Sequence, residues 1–180
     1  MAEPGLAMKE IRWHARAGQG AKTASQLYAT ALLKEGQSVQ AFPEYGPERR
    51  GAPLRAYTRI DEKPIRRHDA ITHPDVVVVL EPSLLHEVDV ADGLADDGFV
   101  LLNGETVPAE LSDVEVRCVP AERLAGGSKF VNLVMVGALA AALGEPGVEG
   151  VAAAAVELLG KKVSAAEIEA AVEEGYRCLS

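Results

Sequence analysis

The spacing of apolar and polar positions changes several times along the chain. Short β-branched or alternating runs predict strands at residues 10–14, 39–42, 54–60, 76–80, 99–102 and 114–119. Runs with apolar residues three or four apart predict helices at residues 22–35, 81–88, 129–143, 151–159 and 164–176. We expect Gly36 to end the first helix, and Ser164 with Glu167 to form a capping box that opens the last one.

The order of these elements predicts the fold class. Strands alternate with helices, so we expect an α/β protein: a single three-layer α/β/α domain spanning residues 1–180, with a flexible N-terminus (1–8) and a C-terminal helix (164–178). The β-branched run at residues 76–80 predicts a central strand buried on both faces, as in parallel sheets. The strand at 54–60 is expected to form a hairpin with residues 65–67. The mostly parallel sheet should therefore be mixed.

Composition narrows the function classes. The chain of 180 residues is 48% hydrophobic and carries a formal net charge of −9, which disfavours binding to nucleic acid through phosphate neutralisation. The longest apolar run, residues 133–143, is too short to span a bilayer, so we expect no membrane association. Cys118 and Cys178 form no disulfide framework, which favours a cytoplasmic location. Two thiols cannot supply the usual four ligands of an iron–sulfur cluster.

Charge is distributed unevenly along the chain. Residues 1–69 contain 12 Lys and Arg against 8 Asp and Glu, whereas residues 70–180 contain 6 against 19. A positive region within an acidic protein indicates an anionic ligand or an acidic partner surface. The cations concerned are Arg12, Arg16, Lys22, Arg49, Arg50, Arg55, Arg66 and Arg67.

A glycine loop, residues 15–20, joins the first strand to the first helix. Gly18 and Gly20 allow positive φ and close approach of a ligand to the backbone, at the end of a helix that favours anions. The alternative is a tight turn without a ligand. The stretch fits a dinucleotide fingerprint poorly, because Thr23 occupies the position of its last small residue. It also fits a phosphate-binding P-loop poorly, because Ala21 precedes Lys22.

An arginine loop, residues 44–53, follows the second strand. Arg49 and Arg50 offer two adjacent guanidinium groups to a carboxylate or phosphate, and Glu48 can hold them in place by pairing. The alternative is a solvated connection with internal ion pairs. We expect the second strand to lie beside the first, which would bring both loops to the carboxyl edge of the sheet, where ligands bind in open α/β folds.

Gly18-Gln19-Gly20 and the segment 41–53 together resemble the gamma subunit of 2-oxoacid:ferredoxin oxidoreductases, the family of pyruvate, 2-oxoglutarate and ketoisovalerate enzymes. The residues Glu81-Pro82-Ser83-Leu84 and the helix containing Asn132 are also similar to the family. The sequence departs from the family's glycine-richer first loop at Ala15 and Ala17, where an added methyl group disfavours positive φ.

The resemblance implies a non-catalytic subunit of a complex that decarboxylates a 2-oxoacid oxidatively to an acyl-CoA. Thiamine diphosphate, magnesium and the iron–sulfur clusters would lie on partner subunits of alpha, beta and delta type, and ferredoxin would accept the electrons. Coenzyme A would bind at the level of the complex, with no cofactor held by this chain alone, and an isolated chain can form a homodimer. No catalytic residue and no metal site is expected here.

The same resemblance implies roles for residues of both loops. The expected contacts to the phosphates of coenzyme A are Arg16, Gly18, Gln19, Gly20, Thr23, Arg49 and Arg50. The expected subunit interface comprises Glu44, Tyr45, Gly46, Pro47, Glu48 and Gly51. Two alternatives remain open at this point: a free-standing domain that binds NAD(P) or a mononucleotide, with Glu44 on a ribose, and a purely architectural subunit.

Overall fold

A computed structural model describes residues 8–44 and 49–180. The strands are β1 (Lys9–Arg16), β2 (Ser38–Pro43), β3 (Pro53–Asp61), β4 (Val76–Val79), β5 (Phe99–Asn103) and β6 (Glu115–Val119). The helices are α1 (Ala21–Lys34), α2 (Ala121–Leu124), α3 (Val131–Leu143), α4 (Val148–Leu159) and α5 (Ala165–Leu179), with 3₁₀ turns at Pro82–His86, Ala109–Leu111 and Ser128–Phe130. The expected flexible terminus lies outside the described residues, apart from Met8.

The six strands form one mixed sheet in the order β2-β3-β1-β4-β5-β6. Strands β1, β4, β5 and β6 are parallel, and β3 pairs antiparallel with both β1 and β2. The predicted α/β class and mixed sheet are confirmed. The valine run of β4 lies between β1 and β5 with every residue buried, as expected for a central strand.

Four helices cover one face of the sheet. The apolar helix α3 packs under α5, and both belong to the main core together with α1 and α4. From β1, Ile11, Trp13 and Ala15 point into this core, and the indole nitrogen of Trp13 donates to Thr58 Oγ1 over 3.0 Å. Alternate residues of a strand point to the same side of a sheet, so Ile11, Trp13 and Ala15 all face the helices.

The opposite face is covered by 3₁₀ turns and loops rather than by long helices. Its smaller apolar core contains Val77, Val79, Val100 and Leu102 from the central strands, closed by Leu111 and neighbouring turn residues. The 3₁₀ turn Pro82–His86 begins at Glu81, whose side chain accepts from the backbone N–H of Ser83. This turn therefore sits directly beside the carboxyl end of β4.

A segment without regular structure, residues 62–75, crosses the second face over β2, β3 and β1. One polar side chain from each strand donates a hydrogen bond to a backbone carbonyl of this segment. Gln40 donates to the carbonyl of Arg67, Arg59 to the carbonyl of Asp69, and Arg12 to the carbonyl of Ile71. The hairpin predicted between 54–60 and 65–67 is therefore wrong, because β3 takes β2 as its antiparallel partner and leaves residues 65–67 to cross the face.

The predicted position of β2 is also wrong. It occupies the edge of the sheet, because β3 inserts between β2 and β1. The two loops nevertheless reach the same edge. The arginine loop leads into β3, and the start of an antiparallel strand lies at the carboxyl end of its partner, here β1.

Candidate functional site

The glycine loop turns sharply between β1 and α1. Gly18 and Gly20 adopt φ of 95° and 85°, a region that favours glycine, and the carbonyl of Gly20 accepts the first hydrogen bond of α1 from Ala24. An added side chain at Gly18 would meet no atom within 4 Å, so the outer side of the loop is open. Ala15 and Ala17 both have negative φ, which shows that this loop conformation accommodates alanine at these positions.

The side chain of Gln19 ties the glycine loop to the end of β4. Its Oε1 accepts from the backbone N–H of Arg16 over 2.6 Å, and its Nε2 donates to Glu81 over 2.6 Å. Burial works to raise the pKa of Glu81, but the hydrogen bonds from Gln19 and Ser83 outweigh it and leave that pKa below its ordinary value. Glu81 is therefore an ionised acceptor at neutral pH.

The guanidinium group of Arg16 makes internal contacts on both sides of the glycine loop. It donates to Ser83 Oγ over 2.8 Å and to Glu87 over 2.5 Å on the 3₁₀ turn, and to the carbonyl of Gly51 over 3.2 Å. The hydrogen bond to Glu87 raises the pKa of Arg16 further. Arg16 thus connects the glycine loop, the arginine loop and the turn after β4.

The two loops meet through their backbones. The N–H of Ala17 donates to the carbonyl of Ala52 over 2.9 Å, and the N–H of Gly51 donates to Ala17 over 3.4 Å. Arg49 and Arg50 are exposed directly before this contact, in a turn closed by the hydrogen bond from Ala52 to the Arg49 carbonyl. Both arginines therefore lie beside the glycine loop, as the sequence predicted.

The remaining predicted site residues are distributed as follows. Thr23 is half-buried in the first turn of α1. Glu44 pairs with Arg55 over 2.6 Å at the end of β2. Tyr45, Gly46, Pro47 and Glu48 lie outside the described residues. Of the cations in the positive half, Arg12 is 3% exposed and donates to the carbonyls of Val90 and Asp92, so it holds the fold together rather than facing a ligand.

Asn132 belongs to this site by position, although the sequence analysis gave it no role. A Cβ added to Gly20 would lie 2.6 Å from Asn132 Nδ2, so the first turn of α3 packs directly on the glycine loop. The starts of α1 and α3 therefore converge at Gly20, and the dipoles of the two helices place positive potential there. The feature of the sequence that indicates this contact is the glycine at position 20, because any side chain there would displace Asn132.

A polar cleft of about 610 Å³ adjoins the glycine loop across Glu81. It lies at the carboxyl ends of β4, β5 and β6, and Asn103 is part of its lining. The side chain of Asn103 donates to the Leu80 carbonyl and accepts from the N–H of Ala121, which joins the ends of the three strands. An ion pair between Glu105 and Arg123 stands at its rim. Asn103 is a second residue that the sequence analysis did not assign, since only the parallel pairing brings these three chain segments together.

His14, at the end of β1, is buried beside Arg12. Its Nε2 accepts from Arg12 Nε over 3.1 Å, which requires the neutral ring. Burial, reinforced by the charges of Arg12 and Arg55, lowers the pKa of His14 from 6.5 to about 3. His14 is therefore uncharged at neutral pH, and it cannot supply positive charge to a ligand.

His14 should make the protein sensitive to acid. In the unfolded chain it takes up a proton as the pH falls below 6.5, whereas the folded chain does so only near pH 3. The stability that the neutral His14 contributes is thus fully present above pH 6.5. It is lost between about pH 6 and 3, at about 1.4 kcal/mol of unfolding free energy per pH unit. We expect His14→Gln to reduce the dependence of the unfolding free energy on pH in that window. The reduction corresponds to one fewer proton taken up on unfolding and is measured by urea denaturation at several pH values. An unchanged slope would show that His14 is charged in the folded state.

No group of three or more His, Cys, Asp or Glu able to hold a metal ion occurs within residues 8–44 and 49–180. Cys118 is half-buried on β6, and Cys178 is exposed near the end of α5; both are free thiols. In the described part of the chain, no helix is long and apolar enough to cross a membrane.

Comparison with known proteins identifies the family of the chain. Residues 10–178 match the family model described as pyruvate ferredoxin/flavodoxin oxidoreductase, which covers nearly the whole chain. The chain belongs to this family. It is similar to the common gamma subunit of the pyruvate and ketoisovalerate oxidoreductases of Thermococcus kodakarensis, with 46% identity over 178 residues, 91% of this chain and 95% of the relative.

Two further proteins are similar to the chain over most of its length. The pyruvate synthase subunit PorC of Methanothermobacter thermautotrophicus is 42% identical over 167 residues, covering 91% of this chain and 92% of the relative. The crystal structure of the pyruvate oxidoreductase subunit PORC from Thermotoga maritima superimposes with a TM-score of 0.77 at 34% identity, covering 94% of this chain and 96% of that chain. The protein is thus a gamma subunit of a 2-oxoacid:ferredoxin oxidoreductase, as the resemblance in its sequence implied.

Proposed function

We propose that this gamma subunit binds the phosphates of coenzyme A at the junction of the glycine and arginine loops, and packs there against partner subunits of its oxidoreductase. The observation that carries the proposal is the contact between Ala17 and residues 51–52, which puts two exposed arginines beside an open glycine turn. Coenzyme A supplies the thiol that accepts the acyl group. In this chain the expected work is binding, with no bond made or broken by its own residues.

Each predicted residue receives a part in this proposal. Gly18, Gln19 and Gly20 present the loop backbone to a phosphate, and the starts of α1 and α3 add positive potential. Thr23 lies in the first turn of α1, where its hydroxyl can reach an anion bound at the start of the helix. Arg49 and Arg50 supply charge and forked donors, which suit phosphate oxygens. Arg16 acts mainly by holding the loops, because its own donors already have partners.

The fit of coenzyme A rests on charge placement. The cations near the loops that have no described hydrogen-bond partner are Lys22, Arg49 and Arg50. The adjoining cleft is lined by three glutamates and one arginine, which pairs with one of them: Glu81, Glu105, Glu122 and Arg123. Phosphates are therefore favoured on the arginine side, and uncharged polar groups on the cleft side. A ligand carrying both kinds of group, as coenzyme A does, matches this division.

The residues present do not fit the other cofactors of the complex. Cys118 and Cys178 are separate thiols, on a strand and on a helix, so they offer no cluster site together. The sequence contains no Gly-Asp-Gly motif for thiamine diphosphate. We therefore assign thiamine diphosphate, magnesium and the iron–sulfur clusters to partner subunits of alpha, beta and delta type. Ferredoxin would receive electrons from the assembled complex.

The interface proposal concerns the arginine loop. Glu44 and Gly51 flank the stretch Tyr45, Gly46, Pro47 and Glu48, whose contribution to subunit packing stays a prediction from sequence. The two free cysteines fit a reducing compartment, and we place the complex in the cytoplasm. A free-standing nucleotide-binding domain is disfavoured, because the relatives described above are subunits and Glu44 is engaged by Arg55.

The coenzyme proposal is tested by titrating the assembled complex with coenzyme A in a calorimeter. We expect Arg49→Ala/Arg50→Ala to raise the Kd at least about tenfold, because each charge-assisted hydrogen bond to phosphate contributes about 1.5–3 kcal/mol. The matched control, Lys161→Ala/Lys162→Ala, removes two exposed charges from the turn before α5, outside both loops and the cleft, and should leave the Kd unchanged. If the complex assembles normally and both variants bind coenzyme A like the wild type, the subunit is architectural.

A further inference from the structure

The glycine loop has an unusual combination of freedom and restraint. Gly18 and Gly20 give its backbone more accessible conformations than any other residue type would. The loop also lies at the surface, where Gly18 and Gln19 are exposed. Without additional contacts such a loop samples many conformations, and a ligand that needs one of them must order it on binding. Something in the structure has to hold this loop in one form.

One pair of side chains adds a restraint to the backbone contacts of Ala17 and the packing of Asn132 on Gly20. Both polar atoms of the Gln19 amide are used, Oε1 by the N–H of Arg16 and Nε2 by Glu81. Both oxygens of Glu81 are used as well, one by Gln19 and the other by the N–H of Ser83. The result is a continuous chain of hydrogen bonds from the loop backbone to the backbone of the 3₁₀ turn.

This chain of hydrogen bonds crosses the point where the topology of the sheet reverses. From β1 the chain continues into α1 on the helical face, whereas from β4 it continues into the 3₁₀ turn on the opposite face. The divergence leaves a crevice between the ends of neighbouring parallel strands. Gln19 and Glu81 span that crevice, and Arg16 reinforces them through Ser83 and Glu87.

We propose that Glu81 is a positioning residue, which fixes the glycine loop in its binding conformation through Gln19. This inference rests on the proposed function where it concerns coenzyme A, and on the geometry alone where it concerns the loop. Glu81 is not placed on the phosphate, because an ionised carboxylate repels an anion; its two oxygens accept from Gln19 and from the N–H of Ser83 instead.

The pairing can be reversed without losing a hydrogen bond. In Gln19→Glu/Glu81→Gln, the carboxylate at position 19 accepts from the N–H of Arg16 and from the new amide at position 81. That amide still has an oxygen for the N–H of Ser83. The net charge is unchanged. Gln19→Glu alone places two carboxylates against each other and breaks the pair. A positioning role tolerates the exchange, whereas direct contact of either side chain with a ligand does not.

The test measures amide hydrogen exchange of Arg16 and Gln19 in the full chain, and the Kd of coenzyme A in the assembled complex. We expect Glu81→Ala and Gln19→Glu each to accelerate exchange about fivefold to tenfold and to raise the Kd by a similar factor. The exchanged double variant should return both to within about twofold of wild type. Glu115→Ala, which removes an exposed, arginine-paired carboxylate at the start of β6, on the opposite edge of the sheet, should change neither.

The outcomes separate this proposal from the proposed function. Unchanged amide exchange in Glu81→Ala, or a double variant no better than Gln19→Glu alone, overturns the positioning role. Faster exchange that the double variant reverses, with the Kd of coenzyme A constant throughout, supports the positioning role and shows instead that the glycine loop does not bind the coenzyme.

Discussion

Arg59→Met is expected to lower the free energy of unfolding by about 3–5 kcal/mol, because it leaves the largely buried carboxylate of Glu10 without its closest counter-charge. The guanidinium of Arg59 is fully buried on β3. It donates to Glu10 over 2.7 Å, to Gln40 over 3.0 Å and to the Asp69 carbonyl over 2.7 Å, and so joins β1, β2 and the crossing segment 62–75. Methionine fills much of the volume and replaces none of these donors.

The control for Arg59 is supplied by a neighbour. Arg67 approaches the same carboxylates, Glu10 and Asp69, but its side chain is 50% exposed. Arg67→Met should therefore cost no more than about 1 kcal/mol. Adding Glu10→Gln to Arg59→Met should recover part of the loss, since the stranded charge is then absent. Urea unfolding of the four proteins measures these differences, and equal losses for Arg59→Met and Arg67→Met would contradict the assigned roles.

Gly175→Ala is expected to destabilise the protein by about 3 kcal/mol or more. In α5, a Cβ at Gly175 would lie 1.8 Å from the backbone carbonyl oxygen of Val134 on α3, and one at Gly137 would lie 2.1 Å from the carbonyl of Val172. The two helices thus touch backbone to backbone. An added methyl group must push buried helices apart, and this overpacking outweighs the better helix propensity of alanine.

Gly150 in α4 provides the matched comparison. A Cβ there would meet only Glu35 Oε1 at 3.4 Å, the mobile end of a side chain. Gly150→Ala should leave stability unchanged or raise it by up to about 1 kcal/mol. Thermal unfolding of both variants distinguishes helix propensity from packing: a Gly175→Ala protein as stable as wild type would mean that α3 and α5 can separate without cost.

The candidate site could be predicted only in part from sequence. Glycine and arginine types indicated which loops to consider, and the structure brings those loops together at one edge of the sheet. The partners of Arg16 could not be foreseen, since Ser83 and Glu87 are 67 and 71 positions away. Asn132 and Asn103 were missed for the same reason: their positions depend on which helix and which strands become neighbours.

The sequence by itself determined the positions of the six described strands and of α1, α3, α4 and α5, but it predicted neither α2 nor the 3₁₀ form of residues 82–86. The valines of β4, the glycine after α1 and the N-cap of α5 act over a few residues, and the structure has them as expected. Ser164 Oγ accepts from the N–H of Glu167, but the Glu167 carboxylate accepts from the Ser164 hydroxyl, so the predicted capping box forms in part. Only the tertiary structure decided that β3 inserts between β1 and β2, that Arg12 and Arg59 turn inward, and that two helices meet at glycines. Strand order, buried ion pairing and helix contact depend on residues far apart in the chain, and no local pattern records which of them will meet.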